Sequence, residues 1–111
     1  MNRLKAKFWV EALIRRAELG FASAYVIRRG DESAGSVLVK VVNSAGLASL
    51  FVPTWDETGE RIWAQYRPEP VSEREIDDYC RKRLENDPDL WVIEIEDRQG
   101  RHFLTEPVEN S

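Results

Sequence analysis

The chain has 111 residues, 42% of them hydrophobic and 32% charged, and its 16 Lys and Arg against 20 Asp and Glu leave a formal net charge of -4. That is one small globular domain's worth of polypeptide, too rich in Trp, Tyr and Phe for a disordered segment. No apolar run approaches the roughly 20 residues that span a bilayer, the single Cys excludes an internal disulfide framework, and the single His excludes most metal and triad chemistry.

The first predicted element is a helix ending at Leu19, with Gly20 just past its C-terminus. Ala6, Trp9, Val10, Leu13 and Ala17 share one stripe, while Glu11 and Arg15 lie opposite in the favourable acid-first order. Its start is open. Arg3, Lys5 and Lys7 have the wrong sign for a helix N-terminus, and Leu4, Ala6 and Phe8 alternate with Lys5 and Lys7 as an extended lead-in would. From Phe21 to Arg67 the period becomes two, giving four strands over 22–29, 37–42, 47–52 and 61–66. Short connections predict that neighbours pair as an antiparallel meander. The nearly continuous apolar run 37–42 reads as a central strand covered on both faces.

Ser72 and Glu75 then form a capping box, with Val71 and Ile76 at the staple positions around it. The second helix they open buries Ile76, Tyr79, Cys80 and Leu84, and Asn86-Asp87-Pro88 ends it. A last hairpin is expected from Leu90–Glu96, a turn at 97–100, and Arg101–Leu104. The prediction is a single α+β domain over 1–111: N-terminal helix, four-stranded antiparallel meander, second helix and C-terminal β-hairpin. The ordered core runs about 4–104, the polar tail 105–111 frays, and both helices cover one sheet face. Without a signal-peptide core at the N-terminus the expected location is cytoplasmic, with Cys80 a reduced thiol.

Candidate chemistry is sparse. The net charge divides unevenly: residues 1–40 hold eight bases and four acids, residues 41–111 eight bases and sixteen acids. The basic third supplies the anion-binding candidates Arg16, Arg28, Arg29 and Lys40. Without interleaved aromatics of the kind that read RNA, nucleic acid is a weak expectation for them. Trp55 stands in the polar loop 53–60 and is a candidate partner anchor. His102 sits either on the apolar face of the hairpin or, one register away, opposite Glu96. Glu94, Glu96 and Asp97 read as a solvated outer face, Cys80 as a small core residue, and Asp87-x-Asp89 lacks the rest of a calcium loop. The loop Gly30 to Gly35 fails every phosphate-binding pattern, and hairpin-turn geometry accounts for its glycines. No catalytic set, metal site or cofactor site is predicted.

Several segments together resemble a known family: Phe8-Trp9-Val10, Arg15-Arg16, Arg28-Arg29-Gly30-Asp31, Ala34-Gly35, Val39-Lys40, the run Asp87 to Asp97, and Gly100 to Leu104. They are similar to the small alphaproteobacterial proteins of domain of unknown function 1491. The match covers about residues 3–104, is most specific in the closing segment, and is least recognisable over 53–70. The resemblance implies a stand-alone bacterial domain and no assigned activity, so it brings no functional residues. Three functional readings follow. The leading one is a cytoplasmic non-enzymatic interaction module that uses a sheet edge or the Trp55 loop, for an unknown protein partner or a second copy. The alternative is an anion or nucleic-acid binder on the basic face, and a distant third is a hydrolase on Glu94, Glu96 and His102.

Overall fold

Burial along the central strands dictates the architecture. In the computed structural model, which describes residues 5–109, the chain runs α1 (Ala6–Leu19), β1 (Ser23–Arg28), β2 (Val37–Val42), β3 (Leu47–Trp55), β4 (Arg61–Gln65), β5 (Val71–Ser72), α2 (Glu73–Asn86), β6 (Trp91–Glu96) and β7 (Val108–Glu109). The strands form one mixed sheet in the order β1-β6-β2-β3-β4-β7, with β5 pairing to β3 off that path. Every residue of β2 is buried. Val37, Val39 and Val41 face a core shared with Val10, Leu13 and Ala17 of α1; Leu38 and Val42 face a second core with Ile76 and Cys80 of α2. The helices therefore cover opposite faces of the sheet rather than one. A strand apolar on both sides needs cover on both sides, and one helix per face supplies it.

The α+β class stands, but the sheet is mixed rather than antiparallel throughout. The meander holds for β2, β3 and β4, with Val39 opposite Phe51 and Pro53 opposite Trp63. Its first step does not. β6 lies between β1 and β2, antiparallel to the first (Ser23 opposite Glu96) and parallel to the second (Val37 opposite Trp91). Residues 29–36 cross the start of β6 and bridge two interstrand spacings, about 10 Å. They are pinned there: Asp31 N–H donates to the Asp89 carbonyl at 3.0 Å and the Trp91 indole to the Asp31 carbonyl at 2.7 Å. A methyl group on Gly30 or Gly35 would strike that Asp89 carbonyl. Close approach, not positive φ, is thus the reason for both glycines; the positive-φ glycines are Gly46, Gly59 and Gly100.

Helix α1 starts at Ala6, and the first four residues lie outside those described. The crossover loop caps it, since Ala6 N–H donates to Ser33 O and Lys7 N–H to Glu32 O. At its other end Phe21 N–H bonds Glu18 O and Ala22 N–H bonds Ala17 O, the paired bonds of a Schellman motif. Phe21, not Gly20, takes the left-handed position with φ 66°, while Gly20 has φ -88°. Helix α2 opens as expected: Ser72 Oγ accepts from Glu75 N–H at 3.2 Å, although the Glu75 carboxylate turns to Arg67 Nε at 2.7 Å.

The expected C-terminal hairpin does not form, because β1 and β2 already occupy both edges of β6. After Gly100 the chain instead crosses the α1 face as an irregular segment, turned by Phe103 at φ 60°. Phe103 and Leu104 pack against the α1-side core. The stretch 105–109 of the predicted fraying tail is held: Trp63 N–H donates to Pro107 O at 2.9 Å, and β7 pairs in parallel with β4. Residues 110 and 111 lie outside those described. Among the described residues no helix is long and apolar enough to cross a membrane.

Candidate functional site

Two features of this fold expose groups that a packed core would hide. The first is the β1 edge. Strand β1 ends the sheet, and five of its six residues are exposed. Tyr25, Val26 and Ile27 are among them, and Leu19 and Phe21 continue the apolar surface from the end of α1, Phe21 at 98% exposure. The ladder to β6 is regular from Ser23 to Val26 and then shifts register before Arg28. An edge strand presents one row of backbone N–H and C=O groups that its own sheet does not pair.

The second feature is a groove of about 790 Å³ between the start of α1, the crossover loop, β4 and the segment around Glu106. Trp9 and Trp63 stack on its wall with ring centroids 5.3 Å apart. The Trp9 indole donates to one Glu106 oxygen at 3.0 Å and the Trp63 indole to the other at 3.1 Å. Burial by itself would raise the Glu106 carboxyl, but the two indole hydrogen bonds and the charge of Arg16 outweigh it and hold the group below its ordinary 4.5. An ionised carboxylate thus sits in a largely apolar groove, aimed by two aromatic donors. Nothing in the sequence links residues 9, 63 and 106. Trp9 reads as part of the first helix's stripe, Trp63 lies in the predicted strand 61–66, and Glu106 lies in a stretch that reads as a frayed tail.

The four predicted anion-binding residues do not converge. Arg16 Nε donates to the Phe103 carbonyl at 2.9 Å on the α1 side. Arg28 donates to the Pro88 carbonyl at 3.2 Å, while Arg29 pairs with Glu32 at 2.6 Å and lies over the Trp91 ring. Those two share the crossover region. Lys40 points to the opposite face of the sheet and is buried, its Nζ 2.8 Å from Glu73, 2.9 Å from Asp77 and 3.0 Å from Glu94. Burial would lower its pKa, but the three carboxylates outweigh that and push it well above the ordinary lysine value.

Trp55 ends β3 rather than lying in a loop, and faces Arg61 across the β3–β4 ladder, about half exposed. His102 packs edge-on against Phe51 at 4.9 Å and accepts the Leu104 N–H on Nδ1. Phe51 belongs to the α1-side core, whereas Glu94 lies with Lys40 on the α2 side and Glu96 accepts from the Tyr25 hydroxyl at 3.3 Å. Glu94, Glu96 and His102 are consequently not assembled into one site. Asp97 is buried against Arg101, which bonds both carboxylate oxygens and the Gly20 carbonyl. Burial pushes the Cys80 thiol up to about 11, the behaviour of a core cysteine.

Comparison with known proteins places this geometry. The sequence model of the family described as "Protein of unknown function (DUF1491)" matches residues 4–105. The chain belongs to the DUF1491 family. A DUF1491 family protein from Caulobacter crescentus, solved by crystallography, is 53% identical, with a TM-score of 0.91 over 96% of this chain and 100% of that one. An NMR structure of a DUF1491 family protein from the same organism is 51% identical over 99% and 100%, with a TM-score of 0.88. A protein from A. tumefaciens, solved in solution, is 28% identical over 99% and 100%, with a TM-score of 0.82. No curated protein matches the chain. DUF1491 carries no assigned activity, so the readings below rest on the geometry.

Proposed function

We propose that this DUF1491 protein is a small cytoplasmic, non-catalytic interaction module that associates with a second copy of itself through the β1 edge. The observation that carries the reading is the exposed run Tyr25-Val26-Ile27 on a strand that ends the sheet. An apolar edge of this kind is an open template for another strand. Ser23 to Ile27 carries no charge, so like charges do not repel along the pairing stretch. Antiparallel pairing about a two-fold axis brings Arg28 of one copy towards Ser23 of the other, whose neighbour on β6 is Glu96. Parallel pairing would set Arg28 against Arg28. Charge therefore favours the antiparallel, closed arrangement. The anion-binding alternative has less support, since only Arg28 and Arg29 lie together and each already has a protein partner.

Light scattering and sedimentation velocity test the reading. The wild-type chain is expected to be a dimer whose melting temperature rises with concentration, and Val26→Lys, which places a charge on the edge, a folded monomer whose melting temperature does not. A wild-type chain that stays monomeric up to its solubility limit overturns the proposal, as does a Val26→Lys variant that still dimerises.

A further inference from the structure

We propose that the groove walled by Trp9 and Trp63 binds a small organic cation, an ammonium or guanidinium group carried on an apolar body, with Glu106 as its counter-charge. The groove is of the size that small-molecule sites have, about 300–1,000 Å³. Its charged lining is Lys5 and Arg61 against Asp56, Glu60 and Glu106, one negative charge in sum, with Arg16 acting on Glu106 from outside the lining. Glu106 differs from the other two acids in lying beside aromatic rings. Glu106 lies at the N–H edges of both indoles and supplies the opposite charge, while Trp9, the more exposed of the two rings, offers the groove the aromatic surface that positive charge favours. Each Glu106 oxygen accepts one indole N–H, and an ionised carboxylate has about two acceptor positions per oxygen. The indoles thus orient the group and leave acceptor capacity for a donor from the ligand.

The same geometry disfavours an anion. The start of α1 lines the groove, and free N–H groups there would be natural anion donors. The amides of Ala6 and Lys7 are instead taken by the Ser33 and Glu32 carbonyls. The apolar body follows from the remaining walls, where Ala6, Val37 and Ile62 are buried side chains that offer no polar contact.

The test compares two probes with one ring and opposite charge, phenethylammonium and phenylpropionate, by following the indole N–H resonances of Trp9 and Trp63 in the wild-type protein. The amine is expected to shift both resonances saturably at a concentration about tenfold lower than the carboxylate needs, a difference of about 1.4 kcal/mol. The Trp91 indole, bonded to the Asp31 carbonyl, is expected to stay still. Glu106→Gln is expected to abolish the preference between the probes. An amine that produces no saturable shift, or a pair of probes that bind equally, overturns the proposal. Because Glu106 also pins the C-terminal segment, the wild-type comparison decides the matter if the Gln variant proves unstable.

Discussion

Phe21 holds φ 66° while 98% exposed. A left-handed conformation costs an L-residue about 1–2 kcal/mol, and no burial of the ring offsets it within one chain. Glycine would remove most of that cost, less the extra flexibility it gives the unfolded chain. In the monomeric Val26→Lys background, Phe21→Gly is therefore expected to raise the urea midpoint by the equivalent of about 1 kcal/mol. In the wild-type background it is also expected to weaken self-association, because it removes a large apolar group beside the proposed interface. A loss of stability in the monomeric background would show that the ring contributes to the fold of the single chain. Gly20 stands just past the helix end in the sequence and is the residue type that most readily takes a left-handed cap. Gly20 is needed for something else: a Cβ there would collide with the Phe103 ring. Phe103 is remote in sequence, so no local pattern could show the conflict.

At the scale of elements, Lys40 is the tie between three of them. It leaves β2 among apolar side chains and meets Glu73 and Asp77 from α2 and Glu94 from β6. Removing the cation leaves Glu94 largely buried beside two further carboxylates. Lys40→Met is expected to cost about 3 kcal/mol in chemical unfolding, the low end for a broken buried pair because Glu73 and Asp77 are partly solvated. Adding Glu94→Gln should recover part of that loss; a simple sum of the two single costs would mean that the charges are not coupled. A lysine inside an apolar run is visible in the sequence as an anomaly. Which acids meet it is not, since two of them come from a helix more than thirty residues later. The second helix was legible for the opposite reason, its cap, charges and apolar stripe all lying within fifteen residues.

At the scale of the whole molecule, acid acts in two stages. Burial holds His102 below its ordinary 6.5, so the unfolded chain takes up a proton first and stability starts to fall as pH drops below 6.5. The carboxyls of Glu106 and Asp97 are held below their ordinary 4.5 and 3.8. Indole hydrogen bonds outweigh burial at Glu106, and the Arg101 side chain dominates at Asp97. Their contribution is present above those values and is lost as pH falls through the folded ones. Melting temperatures across the acid range are expected to decline gently and then steeply. His102→Asn should flatten the gentle stage and leave the steep one, because His102 is the only imidazole in the chain. A gentle stage that survives the substitution would assign it to carboxylates.

Local patterns were enough to set the elements: two helices with their apolar stripes, the strands from 37 to 66, the capped start of α2, and the two-sided burial of Val37 to Val42. Each follows from a periodicity or cap read within a few residues. Long-range packing fixed the rest: β6 enters between β1 and β2, the helices take opposite faces, and Trp9, Trp63 and Glu106 meet. The physical reason is that periodicity reports which face of a strand is buried, while strand pairing uses backbone N–H and C=O groups that nearly all residues share. Which strand becomes the neighbour is then settled by loop reach and by the need to cover both faces of β2 and β6. Once β6 was enclosed on both edges, Arg101 to Leu104 could not pair with it, and the chain joins the sheet only later, at β4. It was left to cross the α1 face and carry Glu106 to the two indoles.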